Sequence, residues 1–446
     1  YPDAGSEESG LSDDAIVEEF ERLMVQSVDR RLRADVPVVG CLSGGVDSTI
    51  VVAMANHVLG RPIKTFTISV DDPRLDETGD VAGSAKHMGC ESVVLRCTND
   101  DILEQYPALI RAAEAPVIDT ASAAVLKLSQ LIREHGFKVA LTGQGADELL
   151  AGYVWFKTSS MMERLNIVPG LTNGLRRLYT RFVTPNYPWK DIIGHMQSLG
   201  GRYNAAFDAF GRVFTPRFDF YSAEMKDRIV DYSSFAEMGL NRDRMSQWAP
   251  LNQGLYLTSR TLLSGMLLSS KGDRACMNAS VEMRHPFLDE DLFDFCAKLH
   301  PRWKLRGLRD KFLLRTVADK WLPKQMSRRR KAMFLTPWES LCPNGSAGPT
   351  YVEELLSEES LRRAGYFNPA NVAKWRSDVR SLRRGSLLRT SIEMSLVGVV
   401  STQLWHHSFI DGSLASLPSQ AGTYPQLQSH PIELRSSSME PVGISQ

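Results

Sequence analysis

The sequence has no excess charge of either sign. Its 446 residues carry 52 Lys and Arg against 52 Asp and Glu, so no basic surplus draws it to nucleic acid or to an anionic membrane surface. No apolar run reaches the roughly 18 residues needed to span a bilayer. The opening residues Tyr-Pro-Asp-Ala-Gly-Ser-Glu-Glu-Ser lack the basic and apolar regions of a signal peptide. Six cysteines, Cys41, Cys90, Cys97, Cys276, Cys296 and Cys342, form no Cys-x-x-Cys pair and are too sparse for a disulfide scaffold, so reduced thiols in a cytoplasmic protein are expected. His285, His406 and His407 are not grouped with Cys, Asp or Glu as a zinc site requires, and there is no internal repeat. What the chain does have is 43% hydrophobic residues, enough for a large core shared among two or three compact units.

Residues 36–48 read Val-Pro-Val-Val-Gly-Cys-Leu-Ser-Gly-Gly-Val-Asp-Ser. Val36 to Leu42 is short, β-branched and nearly free of polar groups, as a strand buried on both faces of a parallel sheet should be. Ser43, Gly44 and Gly45 allow a sharp turn and close approach to a ligand, and the helical pattern from Ser48 aims free N–H groups and a positive dipole end at that turn. An anion belongs there. No lysine follows the glycines, so this is not a Walker A loop. Asp47 would repel a phosphate unless it held a divalent cation. The Ser-Gly-Gly-x-Asp-Ser pattern after a strand resembles the loop of the ATP pyrophosphatases, which cleave ATP between its α and β phosphates.

Strand and helix patterns alternate over the first 155 residues. A helix at 13–32 precedes strands at 36–42, 63–70, 92–95 and 138–142, with helices at 48–59, 78–88, 100–112 and 120–135. Such βα alternation predicts a doubly wound parallel sheet covered by helices on both faces. Beyond Tyr153 the strand signal fades. The expected organisation is a linker over 1–14, an α/β core over 15–155, a largely helical part over 156–410 and a Ser-, Pro- and Gln-rich disordered tail over 411–446.

A second motif, Thr-Gly-Gln-Gly-Ala-Asp-Glu-Leu-Leu-Ala-Gly-Tyr, occupies 142–153 at the end of the strand 138–142. Ligands of doubly wound sheets bind beyond the carboxyl ends of strands at the switch point. Asp47 and Asp147, converging from two such ends, would hold Mg²⁺ against a triphosphate. Taken alone, Asp147-Glu148 would be an acidic pair favoured by a helix N-terminus.

These two motifs are followed in order by Asp273-Arg274, by Val281-Glu282-Met283-Arg284-His285-Pro286-Phe287-Leu288-Asp289, and by Lys311-Phe312-Leu313-Leu314-Arg315. The set resembles the synthetase domain of the glutamine-dependent asparagine synthetases over residues 15–410, and other pyrophosphatases share only its first motif. The resemblance implies a five-stranded sheet of the adenine-nucleotide α-hydrolase type. It implies that Leu42, Ser43, Gly44, Gly45, Asp47 and Ser48 hold the phosphates of ATP, with Ile68, Thr142 and Gly143 along the adenosine. Asp47 and Asp147 would bind Mg²⁺, and Lys311 would neutralise charge on pyrophosphate and adenylate, an effect on the order of 3 to 4 kcal/mol. The implied chemistry is activation of aspartate as an acyl-adenylate, then amidation by ammonia to asparagine and AMP. The segment 282–289 is expected to order the helical half against the sheet, its charges satisfying one another.

Two features depart from that family. At Gln144 its members commonly carry a Glu with a role in amidation, and an amide cannot act as a base. The upstream glutaminase domain is also missing. The start at Tyr1 and the linker-like acidic leader favour a fragment of a two-domain amidotransferase over a free-standing synthetase. Ammonia would then come from a glutaminase domain in cis or in trans, and a homodimer is compatible with the reading. The alternative is an amide ligase or cyclase of the same fold acting on another small carboxylic acid, in secondary metabolism or cell-surface modification. A non-catalytic relative is disfavoured by the retention of Asp47, Asp147 and Lys311. The run Arg328-Arg329-Arg330-Lys331 is expected to be a solvated face or a contact to the ATP phosphates, not a nucleic-acid site.

Overall fold

Ser12 starts the first helix by accepting the Ala15 N–H at 3.2 Å. Asp13 and Asp14 at one end and Arg30 and Arg31 at the other complement the helix dipole. The helix, α1, runs Asp13–Leu32 and buries Ile16, Phe20, Leu23, Met24 and Val28. A computed structural model of the chain describes residues 1–7, 10–70, 78–164, 217–229, 232, 237–329, 341, 350–383 and 386–418. Much of the expected helical part, most of the expected disordered tail, Arg330, Lys331 and Cys342 lie outside these.

Five strands, β1 Val38–Cys41, β2 Thr65–Val70, β3 Ser92–Cys97, β4 Val139–Leu141 and β5 Glu282–Arg284, form one sheet in the order β3-β2-β1-β4-β5. Every pairing is parallel. From β1 the chain winds outward through β2 and β3, then returns to lay β4 on the other side of β1. The switch point therefore lies between the carboxyl ends of β1 and β4, where both glycine-rich loops leave the sheet. The helices between strands are α2 Val46–Leu59, α3 Thr78–Met88, α4 Asn99–Ala113 and α5 Ala121–Glu134.

Side-chain alternation along the strands feeds two cores, as a sheet covered on both faces requires. On one face Leu42 and Leu141 join Phe20 and Met24 of α1, Ile50 and Met54 of α2, and Phe287 and Leu314. On the other, Val39, Phe66, Ala140 and Val281 pack on Leu128 and Ile132 of α5. The fold is thus α/β and doubly wound. β1 and β4 are shorter than the apolar runs 36–42 and 138–142, which overrun the paired residues at both ends. β5 has a charged residue at each end and pairs in register with β4, Leu141 opposite Arg284, so only its position in the fold marks it as a strand.

Two short helices, α6 Ala146–Leu150 and α7 Val154–Arg164, follow β4. Further on, α8 Pro250–Thr258 runs into wide π-helical turns at Ser259–Leu267 and Ser269–Asp273 before β5, and α9 Glu290–Lys298, α10 Phe312–Trp321 and the long α11 Leu387–Phe409 come after it. Residues Tyr1–Ser416 make one compact unit, and Leu417–Gln446 fall in a second, of which only 417 and 418 are described. The start of the chain belongs to the first unit. Ala4 donates its N–H to Gln247 O at 2.8 Å, and the Tyr1 ring meets the Trp248 ring edge-on at 5.5 Å. Among the described residues no helix is long and apolar enough to cross a membrane, and the five cysteines there are unbonded.

Candidate active site

The loop after β1 is folded by its own hydroxyls. The Ser43 N–H donates to Ser48 Oγ at 3.0 Å, and the two hydroxyls lie 2.9 Å apart, so the first turn of α2 is tied back onto the strand end. Leu42 contributes backbone only. Its N–H donates to Phe66 O at 2.9 Å, its carbonyl accepts the Thr67 hydroxyl at 2.7 Å, and its side chain is in the core. Ile68 sits further along β2, half-buried against the core that includes Phe66 and Ala140.

The loop after β4 presses directly on this turn. A Cβ on Gly143 would fall 2.6 Å from Ser48 N and 2.8 Å from Asp47 Cβ, so only glycine lets the two loops touch. Thr142 Oγ1 accepts the Gln144 N–H at 3.3 Å and lies 2.7 Å from His285 Nδ1. The Thr142 N–H donates to Arg284 O at 2.9 Å. Asp147 and Glu148 occupy the first turn of α6, both buried, and the Tyr153 hydroxyl donates to Glu148. Burial first, then the Glu148 charge, pushes the Tyr153 hydroxyl well above its ordinary range, so it stays a donor.

Lys311 joins the two loops. Its Nζ lies 2.6 Å from Asp47 Oδ2 and 2.7 Å from Asp147 Oδ1, and the residue is only 1% exposed. It is not a solvated lysine on a helix face but the residue before α10, with φ of 50° in the left-handed region. Such a conformation costs a non-glycine residue of order 1 kcal/mol or more and persists only where surroundings impose it. Here the Lys311 N–H donates to Leu150 O at 3.1 Å and its carbonyl accepts the Arg315 N–H at 2.9 Å. Gly152 leaves the room for the side chain, since a Cβ there would stand 2.2 Å from Lys311 Cε and 1.9 Å from Asp147 Oδ1. Next to it, Asp310 binds Lys157 at 2.5 Å and Arg315 at 2.9 Å. Burial opposes ionisation of Asp310, yet these two cations hold its carboxyl below the usual range.

The segment 282–289 settles its own charges. Arg284 pairs with Glu282 at 2.7 Å and donates to the carbonyls of Arg31 and Arg33, each at 2.8 Å. Asp289 takes Arg30 at 3.1 Å and Arg31 at 2.8 Å, fastening α1 to the segment that follows β5.

The structure therefore gathers Ser43, Asp47, Ser48, Thr142, Gly143, Asp147 and Lys311 at one end of the sheet. Sequence reasoning missed Gly152, His285, Asp310 and Arg315. Gly152, His285 and Arg315 stand within quoted motifs and were within reach, although nothing local marks His285 as a partner of Thr142. Burial lowers the His285 pKa from its ordinary 6.5, Asp273 acts in the opposite sense, and Arg31 adds to the lowering. The imidazole is neutral at pH 7 and can accept the Thr142 hydroxyl.

Two buried carboxylates on a single ammonium also offer hard oxygen donors to a divalent ion. Asp47 Oδ1 is buried with no hydrogen-bond partner among the described residues, a free acceptor of the kind Mg²⁺ takes. Among those residues no group of three or more His, Cys, Asp and Glu could hold a metal by itself. A cation here would need further oxygens from its ligand, as Mg²⁺ does in nucleotide sites.

A family model described as asparagine synthase matches residues 19–407. Asparagine synthetase [glutamine-hydrolyzing] 1 of Bacillus subtilis is 27% identical over 330 residues, covering 73% of this chain and 50% of the relative. Amidase chyE of Penicillium rubens is 24% identical over 396 residues, covering 82% and 58%. A putative asparagine synthetase [glutamine-hydrolyzing] of Mycobacterium bovis is 26% identical over 330 residues, covering 73% and 49%. The chain spans about half the length of the curated relatives it matches.

Proposed function

The chain belongs to the asparagine synthase family, and on that premise we propose that it is an ATP-dependent amide ligase that adenylates aspartate and amidates the adenylate with ammonia. The observation that carries this reading is the buried Lys311 ammonium between Asp47 and Asp147 at the switch point of the sheet. In the first step a substrate carboxylate oxygen attacks the α-phosphorus, the bond from that phosphorus to the bridging oxygen breaks, and pyrophosphate leaves. In the second, the amine nitrogen attacks the acyl carbon, AMP departs and the nitrogen sheds a proton. Both steps need cations where phosphate charge gathers.

Asp47 and Asp147 are the residues that would hold Mg²⁺, which supplies positive charge against the triphosphate and eases approach of a second anion. Ser43 and Ser48 offer hydroxyls, and the first turn of α2 offers its amides, to phosphate oxygens. Lys311 is held between its two acids before substrate arrives, a cation already at the site where charge develops on the leaving pyrophosphate. Ammonia would reach the site from glutamine through a glutaminase domain in cis or in trans.

A second reading, an amide ligase acting on another carboxylic acid, is favoured at one point. Gln144 stands where asparagine synthetases commonly carry an acid, and the match to an amidase covers 82% of this chain. Incubation with ATP, Mg²⁺, ammonium and aspartate, with pyrophosphate and asparagine assayed, decides between them. Aspartate-dependent formation of both products supports the first reading. Neither product with aspartate, from a chain that releases pyrophosphate when another carboxylic acid replaces it, supports the second, and no pyrophosphate with any acid from a chain that still binds ATP removes both.

A further inference from the structure

Arg329 belongs to a basic run expected to be a solvated face or a contact to the ATP phosphates. Its neighbour Arg328 is indeed half-exposed, paired with Asp319 at 2.9 Å, but Arg329 turns inward and is 16% exposed. Its Nη1 donates to Gly44 O at 3.1 Å, to Asp80 O at 3.0 Å and to Ser84 Oγ at 3.0 Å. Its Nε faces the Asp80 carboxylate at 3.2 Å. One guanidinium thus joins the loop after β1 to α3, across 285 residues of sequence.

The backbone of Arg329 is held in turn by Arg315. That guanidinium donates to the carbonyls of Ser327 and Arg329, each at 2.9 Å, while its Nε and Nη2 hold Asp310, the residue before Lys311. A closed circuit results: Lys311 reaches the phosphate loop at Asp47, and Arg315 reaches it at Gly44 through Arg329. The carbonyl and N–H of a trans peptide point in opposite directions. Anchoring Gly44 O therefore fixes the Gly45 N–H, which lies 3.3 Å from Ser43 Oγ beside the loop's hydroxyls. The ion pair to Asp47 must rearrange if phosphate or a metal takes part of it, whereas the Arg329 contact is to a carbonyl and need not change.

We propose that Arg329 is a positioning residue for nucleotide phosphates, holding the Ser43–Gly45 turn in its binding shape independently of the Lys311–Asp47 pair. The inference rests on the ATP site proposed above and adds to it a residue outside that site's motifs. The test uses the full chain and its Arg329→Gln, Arg329→Lys and Ser84→Ala variants, titrated calorimetrically with Mg-ATP and, separately, with adenosine. Arg329→Gln should weaken Mg-ATP binding about tenfold, equivalent to about 1.4 kcal/mol, and leave adenosine binding unchanged. Arg329→Lys, which keeps the charge but cannot fork across the same acceptors, should recover part of the affinity. Ser84→Ala should cause a smaller loss in the same direction. Wild-type affinity for Mg-ATP in Arg329→Gln, or equal losses for adenosine and Mg-ATP, would overturn the proposal. A wild-type chain that binds Mg-ATP but releases no pyrophosphate would overturn the ligase reading alone, because the binding comparison would still stand.

Discussion

The ammonium of Lys311 stands 2.6 Å from Asp47 Oδ2 across 264 residues of sequence, with Asp147 2.7 Å away on its other side. Two acids and one base, all buried, leave a net negative site that is stable only while the lysine is present. Lys311→Ala should cost about 3–5 kcal/mol, the usual penalty for removing one partner of a buried pair, and abolish turnover. Because the stranded carboxylates then favour any cation, Mg²⁺ should raise the melting temperature of Lys311→Ala more than that of the wild type. Thermal melts with and without Mg²⁺ check this, and an equal response of both proteins would refute it.

Gly152→Ala should disable the site without touching a charged residue. The new methyl would need the space now held by Asp147 Oδ1 and Lys311 Cε, so one must move and the ion pair must open. A stability loss of about 1–3 kcal/mol, typical of overpacking, should accompany a loss of turnover far larger than that figure implies. Rate measurements at a temperature where the variant remains folded separate the two effects.

His285 makes stability depend on acidity. Its folded pKa is lowered by burial from 6.5, so the unfolded chain takes up its proton first as pH falls. The contribution of His285 is complete above pH 6.5 and declines from there down to the folded pKa. Protonation also makes Nδ1 a donor only, so its 2.7 Å contact with the Thr142 hydroxyl can then run only from imidazolium to oxygen. His285→Asn, whose amide oxygen can still accept, should flatten the pH dependence of the urea midpoint between pH 7.5 and 5 while keeping most activity. An unchanged slope would show that another group titrates there.

Lys304 should act in the alkaline range. It is fully buried, donates to Asn252 Oδ1 at 2.8 Å and lies 5.0 Å from the centre of the Tyr1 ring. Burial pushes its pKa from 10.5 down to about 8. The unfolded chain holds this proton more tightly, so stability should rise with pH between about 8 and 10.5, by about 3 kcal/mol for the full shift. Subtracting the profile of Lys304→Met from that of the wild type isolates this term, and no rise in the difference would contradict it.

How much of this was legible depends on where each residue's partners lie. Helix α1 could be read to its ends because Ser12, the first-turn acids and the last-turn arginines are local signals. The loops bearing Asp47 and Asp147 announced themselves through strand, glycines and helix in sequence. β5 did not, since three residues between charged ends become a strand only when β4 is alongside. The left-handed backbone of Lys311 was equally hidden, for no glycine marks it and its causes are Leu150, Gly152 and Arg315. The apolar run 36–42 overstated β1 for a related reason, because composition reports burial whereas the strand is set by partners, and pairing with β4 begins only at Val38.

The position of β5 and Lys311 late in the chain bears on how the protein is made. A ribosome delivering residues in order would complete β1 to β4 and both acidic loops long before β5 closes the edge and residue 311 brings its charge. Through that interval the nascent sheet would present an unpaired β4 edge and two uncompensated carboxylates, a state exposed to wrong pairing. Pairings spanning hundreds of residues also form slowly. Closure of the sheet edge and neutralisation of its acid pair thus wait until residues 282 to 311 have been made.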